Sequence, residues 1–243
     1  MQRIATALAV AALLVLSGCS LPFTGGSASP PGIADGGVQN ETALVSAHTQ
    51  ALSEQSYETD ITIDGSIVQN DQAVEFTRRQ QVLVEEGFSP YQYRVTESVG
   101  SSSVKFDVWA NDTAQFVRIQ NGGNVQYQRG QPQQPQSLAS ASFIDTFVDD
   151  SYTVEKTEEK DGHTYTTLTS QTAPENVTKL VRGASDVSQF EGTIIVDETG
   201  RVHAMSATMD YALAGSTQTM QIDYQLLEND STVEKPSWVS GAA

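Results

Sequence analysis

The chain has 243 residues, of which 30 are acidic and 13 are basic, so its formal net charge at pH 7 is −17. A surface of this charge repels nucleic acids and anionic head groups, which argues against a nucleic-acid partner. The acids are scattered and only five of the bases are lysines; this composition is typical of proteins from extreme halophiles, and the alternative is an acidic exported protein of a bacterium.

The first 18 residues have the three parts of a secretory signal peptide. Arg3 supplies the positive charge, residues 4–16 form an apolar run too short to span a bilayer, and small residues precede Cys19. The sequence LSGC at residues 16–19 resembles the lipobox of bacterial and archaeal lipoproteins. The resemblance implies cleavage before Cys19 and a lipid on its thiol. The alternative is a buried cysteine in an ordinary N-terminal helix.

These features predict export by the general secretory route, with the lipid on Cys19 holding the protein on the extracytoplasmic face of the cell membrane. Residues 19–40 are rich in glycine, serine and proline, which predicts a flexible tether. No comparable linker divides residues 41–243. We therefore expect a single antiparallel β-rich domain there, with residues 126–136 as a long loop inside it.

The predicted domain begins with a helix over residues 41–56, capped by Asn40. The residues expected on its buried face are Leu44, His48, Ala51 and Leu52. From Tyr57 onward the side chains alternate between apolar and polar, which is typical of half-buried strands. The residues expected to face the core from these strands are Tyr57, Thr59, Ile61, Ile63, Ile67, Val74, Phe76, Val82, Val84, Tyr91, Tyr93, Val95, Val104, Phe106, Val108, residues 116–119, Val125 and Tyr127.

Two short helices are predicted in the second half of the domain, one over residues 137–148 and one beginning at Pro174. A hairpin lies between them and turns at Asp161-Gly162. A three-stranded antiparallel meander then begins at Phe190, with its apolar residues odd-numbered in the second strand and even-numbered in the third. Those residues are Met205, Ala207, Met209, Tyr211 and Leu213, followed by Met220, Ile222, Tyr224 and Leu226.

If the predicted sheet were flat, the predicted helices would be too few to cover its apolar face. About ten strands at ~4.8 Å spacing make a sheet roughly 48 Å wide, whereas three helices, each ~10 Å across, cover about 30 Å. The surplus apolar face cannot stay in water, so the sheet must curl over its helices or enclose a cavity. The sequence therefore predicts an α+β fold in which a strongly curved antiparallel β-sheet, a half-barrel, wraps over a few short α-helices.

The order of elements, together with the strand-turn-strand unit GTIIVDETGRVHAMSATMDYAL at residues 192–213, resembles the lipoprotein-carrier superfamily of LolA-like and LppX-like proteins. The chain also resembles haloarchaeal lipoproteins of uncharacterised function, through AHTQAL at residues 47–52 and PSW at residues 236–238. The first resemblance implies a half-barrel that binds or carries a hydrophobic molecule such as a lipid. The second implies no activity.

The sequence contains no motif of a known catalytic, metal or cofactor site, so we expect no enzyme, no metal and no cofactor. The three histidines lie in separate predicted elements. His48 is interpreted as a satisfied interior histidine, and His163 and His203 as exposed residues that follow turns. Asp60 and Asp64, although followed by a glycine, lack the spacing of a calcium loop.

The methionines of the final meander suggest a pocket, because methionine adapts to varied apolar ligands. The predicted ligand-pocket residues are Met205, Met209, Tyr211, Met220, Ile222 and Tyr224. Ordinary core packing is the alternative. Four asparagines match the Asn-X-Ser/Thr acceptor pattern of N-glycosylation, and we expect about two of them to carry glycans. They are Asn40, Asn111, Asn176 and Asn229.

Three functions stay open at this point. The first is a membrane-anchored binding module that holds or carries a hydrophobic small molecule or lipid. The second is a structural or accessory lipoprotein of an envelope complex, with no ligand and with an exposed apolar patch around Trp109 or Trp238 for a protein partner of unknown identity. The third is a hydrolase, which would need clustered carboxylates or a Ser/His pair in one cleft.

Overall fold

The computed structural model describes residues 29–177, 185–228 and 232–241, and its main feature is one antiparallel sheet of 13 strands. The strands are β1 (Ile33–Ala34), β2 (Gly37–Val38), β3 (Tyr57–Gln69), β4 (Gln72–Val84), β5 (Tyr91–Val99), β6 (Ser102–Ala110), β7 (Gln115–Asn121), β8 (Asn124–Gly130), β9 (Thr153–Lys160), β10 (His163–Ser170), β11 (Ser185–Asp197), β12 (Val202–Leu213) and β13 (Ser216–Glu228). The helices in the described part are α1 (Glu41–Leu52), α2 (Pro135–Leu138) and α3 (Ala141–Phe147), and short 3₁₀ turns cover Glu86–Phe88 and Ser237–Gly241.

The sheet is open, with the strand order β1-β2-β9-β10-β11-β12-β13-β3-β4-β5-β6-β7-β8. Two runs of consecutive antiparallel strands, β9–β13 and β3–β8, join where β13 pairs with β3. A single buried cluster contains side chains from both runs and from the helices. Because three short helices cannot cover so many strands laid flat, the sheet curves around them. The predicted fold class is confirmed.

Helix α1 confirms the predicted cap and the predicted buried face but ends earlier than expected. The Asn40 side-chain oxygen accepts a hydrogen bond from the Ala43 N–H at 3.0 Å, which satisfies one of the free donors of the first turn. The helix ends at Leu52 rather than at residue 56. The Ser53 hydroxyl donates to the Gln50 carbonyl at 2.7 Å, and the chain then turns into β3.

The helix predicted over residues 137–148 is two helices, because Ser140 interrupts it with a φ of +56°. A left-handed residue cannot continue a right-handed helix. The side chains predicted to face the core are buried all the same: Leu138, Ala141, Ile144 and Val148. The helix predicted from Pro174 lies mostly outside the described residues, which end at Val177 in this region.

The predicted tether over residues 19–40 is too long, because its second half packs onto the domain. Ile33 and Val38 are buried, Gly37 pairs with Thr153 of β9, and the Val38 N–H donates to the Tyr152 carbonyl at 3.1 Å. Residues 1–18 and Cys19 lie outside the described residues. The loop predicted over residues 126–136 is also too long, since β8 continues to Gly130.

The final meander is confirmed together with its register. Met209 lies opposite Met220 and Met205 lies opposite Tyr224, and the odd-numbered face of β12 and the even-numbered face of β13 are buried. The predicted hairpin is confirmed as β9 and β10, with its turn at Asp161-Gly162. No helix in the described part of the chain is both long and apolar enough to cross a membrane.

Candidate functional site

A cavity of about 500 Å³ lies between the concave face of the sheet and the segment that carries α2 and α3. Its apolar lining comes from β3, β4, α3 and β13 and consists of Ile61, Ile63, Ile67, Phe76, Phe143 and Met220. Its polar lining comes from β4, β5 and the α2–α3 segment and consists of Arg78, Gln80, Tyr93, Gln133, Gln136, Ser137, Ser140 and Ser142. The volume and the mixture of apolar walls with a few polar groups are those of a small-molecule site.

Strand alternation places these side chains on one face. Odd-numbered residues of β3 and β5 and even-numbered residues of β4 point to the concave side, as the register of the pairs Ile63–Arg78 and Gln80–Val95 requires. Gly65 marks the border of the cavity, since a Cβ there would lie 3.3 Å from both the Met220 Cε and the Tyr211 Oη. The glycine lets these two side chains close one end of the cavity.

Tyr211 is held at this border by two hydrogen bonds to the backbone of β3. Its hydroxyl donates to the Ser66 carbonyl at 2.7 Å and accepts from the Ser66 N–H at 2.8 Å. A buried phenol with both hydrogen-bonding roles filled is held in one position. Tyr211 thus fastens β12 to β3, and none of the described residues that line the cavity comes from β12.

The charged residue of the lining, Arg78, is held in an ion pair with Glu97 of the next strand. Arg78 Nη1 donates to Glu97 Oε1 at 2.8 Å and Nη2 donates to Gln80 Oε1 at 3.0 Å. The two charged side chains are about one-third exposed, at 33% and 35%, and they lie directly opposite each other on β4 and β5. Burial raises the pKa of the neighbouring Tyr93 phenol, which stays neutral next to Arg78.

Ser140 adds a buried hydroxyl to the lining. The residue is 5% exposed, and within the described chain its Oγ has no hydrogen-bond partner. An unpaired buried hydroxyl lowers stability unless another group satisfies it. Ser140 therefore combines an unpaired buried hydroxyl with a positive φ, two features that lower stability at one residue.

The structure places one of the six predicted pocket residues at the cavity and the other five in the core. Met220 lines the cavity. The other five are packed into the core, each no more than 2% exposed: Met205, Met209, Tyr211, Ile222 and Tyr224. Their role in ligand binding stays a prediction. The isoleucines of β3 and Phe76 were recognised in the sequence as core-facing strand residues, and nothing in their pattern indicated that the helices leave them partly uncovered.

His48 lies in the interior with both ring nitrogens hydrogen bonded. Nδ1 accepts from the Val202 N–H at 3.0 Å, and Nε2 donates to the Ala139 carbonyl at 3.1 Å. Burial lowers the pKa of His48 to about 4, so the ring is neutral and links α1 to β12 and to the α2–α3 segment. The interpretation of His48 as a satisfied interior histidine is confirmed.

His203 does not fit the prediction of an exposed histidine. Its side chain is 18% exposed, and its Nε2 lies 2.8 Å from Asp197 Oδ2. Burial raises the pKa of Asp197, but hydrogen bonds from His203, Thr199 and the Arg201 N–H outweigh burial and hold that pKa far below its usual value. His163, on the exposed end of β10, contacts Glu198 Oε1 at 3.0 Å. In the part of the chain that the structure describes, no three potential metal ligands come together.

Of the two tryptophans at which an exposed apolar patch was predicted, Trp109 is covered and Trp238 is half-buried. Trp109 is 7% exposed and packs with Val233 and Val239 of the C-terminal segment. Lys235 lies 5.5 Å from the Trp109 ring centroid, and Arg118 lies 5.4 Å from that of Trp238. This segment therefore closes the convex face of β6 and β7.

A second, polar cavity of about 360 Å³ lies under the C-terminal segment, next to the buried carboxylate of Asp107. Arg118 Nη2 and Arg94 Nε bond that carboxylate at 2.7 and 3.1 Å, and Lys105 Nζ lies at 3.6 Å. Burial raises the pKa of Asp107, but the hydrogen bonds from Arg118 and Arg94 outweigh it and lower that pKa. The group is a structural ion network of the convex face.

Three of the four glycosylation acceptors lie among the described residues. Asn40 is exposed and caps α1. Asn111 Oδ1 accepts from the Thr113 N–H and hydroxyl at 3.0 and 2.9 Å. Asn176 is exposed in a turn, and Asn229 lies outside the described residues. Glycosylation stays a prediction.

A family model described as a family of unknown function (DUF7537) matches residues 3–242. No curated protein matches the sequence significantly. A LolA superfamily protein from Nitrosomonas europaea aligns at 12% identity over 79% of this chain and 94% of its own, with a TM-score of 0.26. A DUF1329 family protein from Desulfovibrio piger aligns at 12% identity over 78% of this chain and 92% of its own, with a TM-score of 0.29.

The lipoprotein LppX from Mycobacterium tuberculosis aligns at 10% identity over 79% of this chain and 97% of its own, with a TM-score of 0.32. These three proteins are structures to which the chain is similar, and the properties of the site follow from the residues that line it.

Proposed function

The chain belongs to the family of unknown function DUF7537, and we propose that its domain is a non-enzymatic module that binds a hydrophobic ligand, such as a lipid, in the cavity between β3–β5 and α3. The observation that carries the proposal is the cavity of about 500 Å³ with isoleucine, phenylalanine and methionine walls. Burying a ligand there removes apolar surface from water on both sides, which contributes ~25 cal/mol for each Å².

We also propose that the module works on the extracytoplasmic face of the cell membrane, held by a lipid on Cys19. The signal-like residues 1–18 and the LSGC sequence support this placement. Because the domain begins near Pro30 rather than at residue 41, the link from Cys19 to Ser29 reaches at most about 35 Å. This proposal also includes a halophilic origin, which the acidic composition supports, and glycosylation, which the Asn-X-Ser/Thr sequences support.

Substitutions at two adjacent positions of β3 test the cavity. Ile63→Trp places a large ring into the cavity, while Thr62→Trp places the same ring on the convex side, since neighbouring strand residues point to opposite faces. The purified protein, free of detergent, is analysed by native mass spectrometry for bound lipid and by fluorescence titration with the uncharged probe N-phenyl-1-naphthylamine.

We expect wild type and Thr62→Trp to carry lipid or take up the probe, and Ile63→Trp to bind the probe at least ~10-fold more weakly. A wild-type protein that shows a clean apo mass and takes up no probe would remove the proposal, and so would equal uptake by the two tryptophan variants.

The alternative of an accessory lipoprotein without a ligand predicted an exposed apolar docking patch. At Trp109 this patch is covered by the C-terminal segment. The hydrolase alternative needs a Ser/His pair or clustered carboxylates in one cleft, and the described residues that line the 500 Å³ cavity include neither a histidine nor a carboxylate.

A further inference from the structure

We propose that the cavity selects amphiphiles whose head group carries no net charge, such as a long-chain alcohol or a glycerol ether or ester. This inference rests on the proposed function and adds the class of ligand. Among the described residues that line the cavity, Arg78 is the only charged one. An unpaired arginine at that position would favour fatty acids and other anions.

Arg78 is not unpaired. Glu97 faces it across the β4–β5 ladder, and their side chains meet at 2.8 Å. An anionic head group at Arg78 would displace or lie beside the Glu97 carboxylate, while a cationic head group at Glu97 would meet the guanidinium. Like charges at this distance repel strongly in a partly desolvated site. The pair therefore disfavours both signs of charge.

The remaining polar groups suit an uncharged head. The Gln80 and Gln136 amides and the Tyr93 phenol line the same space, and each can donate and accept hydrogen bonds without carrying charge. The net charge of −17 adds a long-range repulsion against anionic ligands.

The test compares three ligands with the same C18 chain: oleyl alcohol, oleate and oleylamine. Each displaces N-phenyl-1-naphthylamine from the purified protein at pH 7.5 and constant salt. We expect oleyl alcohol to bind ~10-fold more tightly than either charged ligand. Equal affinities for all three would overturn the inference and leave the proposed function standing. Failure of all three, and of the probe, would remove both.

Breaking the pair should reverse the selectivity. Glu97→Gln leaves Arg78 uncompensated, so oleate should gain ~10-fold while oleylamine weakens; Arg78→Gln should have the opposite effect. The matched controls are Glu75→Gln and Arg79→Gln, which change the net charge equally at exposed positions of β4 on the convex side. These two control variants should keep the wild-type order of affinities for the three ligands.

The exchanged pair, Arg78→Glu with Glu97→Arg, guards against misfolding of the single variants, because it restores a neutral pair at the same place. It should fold with the wild-type circular dichroism spectrum and prefer oleyl alcohol. A preference of the exchanged pair for oleate, or single variants that keep the wild-type order, would contradict the role assigned to Arg78 and Glu97.

Discussion

The two halves of the concave face differ in how completely the helices cover them. In the packed half, formed by β11–β13, the core side chains are nearly inaccessible to water, and Met209, Tyr211 and Ile222 are each 1% exposed. In the open half, formed by β3–β5, Tyr57, Val84 and Tyr91 are buried at one end of the strands. Further along β3, Ile63 and Ile67 are only half-buried and line a cavity of about 500 Å³. The two halves have the same alternation and similar residue types.

The difference comes from the helices above the sheet. Helix α1 has 12 residues and is joined to the packed half through His48, which bonds the backbone of Val202 and lies beside Tyr224. Helices α2 and α3 have 4 and 7 residues, or roughly 6 and 10 Å of length. This cover is too short to fill the space over β3–β5. Helix length, rather than sheet composition, decides which half keeps an open cavity.

The largest expected change in the free energy of unfolding concerns two isoleucines that lie opposite each other on neighbouring strands. They are Ile222 of β13 and Ile63 of β3. Ile222→Ala should lower the free energy of unfolding by ~2–5 kcal/mol, because it opens a void in a closed core. Ile63→Ala should lower it by about 1 kcal/mol, because the side chain already borders empty space. Urea unfolding at neutral pH measures both.

Equal losses at the two positions would mean that the halves do not differ in packing. A loss at Ile63 larger than that at Ile222 would mean that the space over β3–β5 closes in solution. Either result would also weaken the case for a binding cavity.

The sequence was sufficient for the parts of the fold that depend on local pattern. Period-two alternation in β12 and β13 predicted which residues face inward, and Asn40 predicted the start of α1, because both signals lie within a few residues of the element they determine. Alternation did not indicate that only Met220, of the six predicted pocket residues, borders the cavity over β3–β5; the role of the other five in ligand binding stays a prediction. Methionines indicate adaptable packing, but they do not show whether a helix lies above them.

Other differences have the same non-local origin. Ser140 is an ordinary helix residue by composition, yet it takes a positive φ and splits the predicted helix. Ile33 and Val38 stand in a glycine-rich stretch without periodicity, and only the edge of β9, far away in the sequence, gives them a place to be buried. His203 follows a turn but is covered because Asp197 lies on the neighbouring strand.

The second prediction asks whether water is excluded from the packed half, and it uses the pH dependence of stability that His48 causes. Its pKa is lowered from 6.5 to about 4, so between these values the unfolded chain binds a proton that the native chain does not. The free energy of unfolding should therefore fall by about 3 kcal/mol as the pH drops from 6.5 to 4, and this contribution should level off below pH 4. Denaturant titrations at half-unit pH steps measure it.

His48→Gln is the matched control, since an amide offers both a donor and an acceptor but does not titrate. It should remove the slope between pH 6.5 and 4. Asp197, whose pKa is held below its usual 3.8, loses its contribution only below about pH 4, so the two groups act in separate windows. A wild-type protein without a slope above pH 4 would mean that water reaches His48.

The smallest expected change in stability comes from Trp238. It tests whether the convex face contributes to the difference in packing between the two halves of the concave face. Trp238 packs over Arg118 at 5.4 Å and beside Tyr127 with ring centroids 6.3 Å apart. Trp238→Ala should lower the free energy of unfolding by ~1–2 kcal/mol, the sum of one aromatic pair and one cation–π contact, while Trp238→Phe should recover about half of that loss. Probe affinity should be unchanged in both variants, because the cavity lies on the other face of the sheet. If Trp238→Ala weakened probe binding as strongly as Ile63→Trp, the C-terminal segment would be setting the curvature of β3–β5, and the short helices alone would not explain why that half stays open.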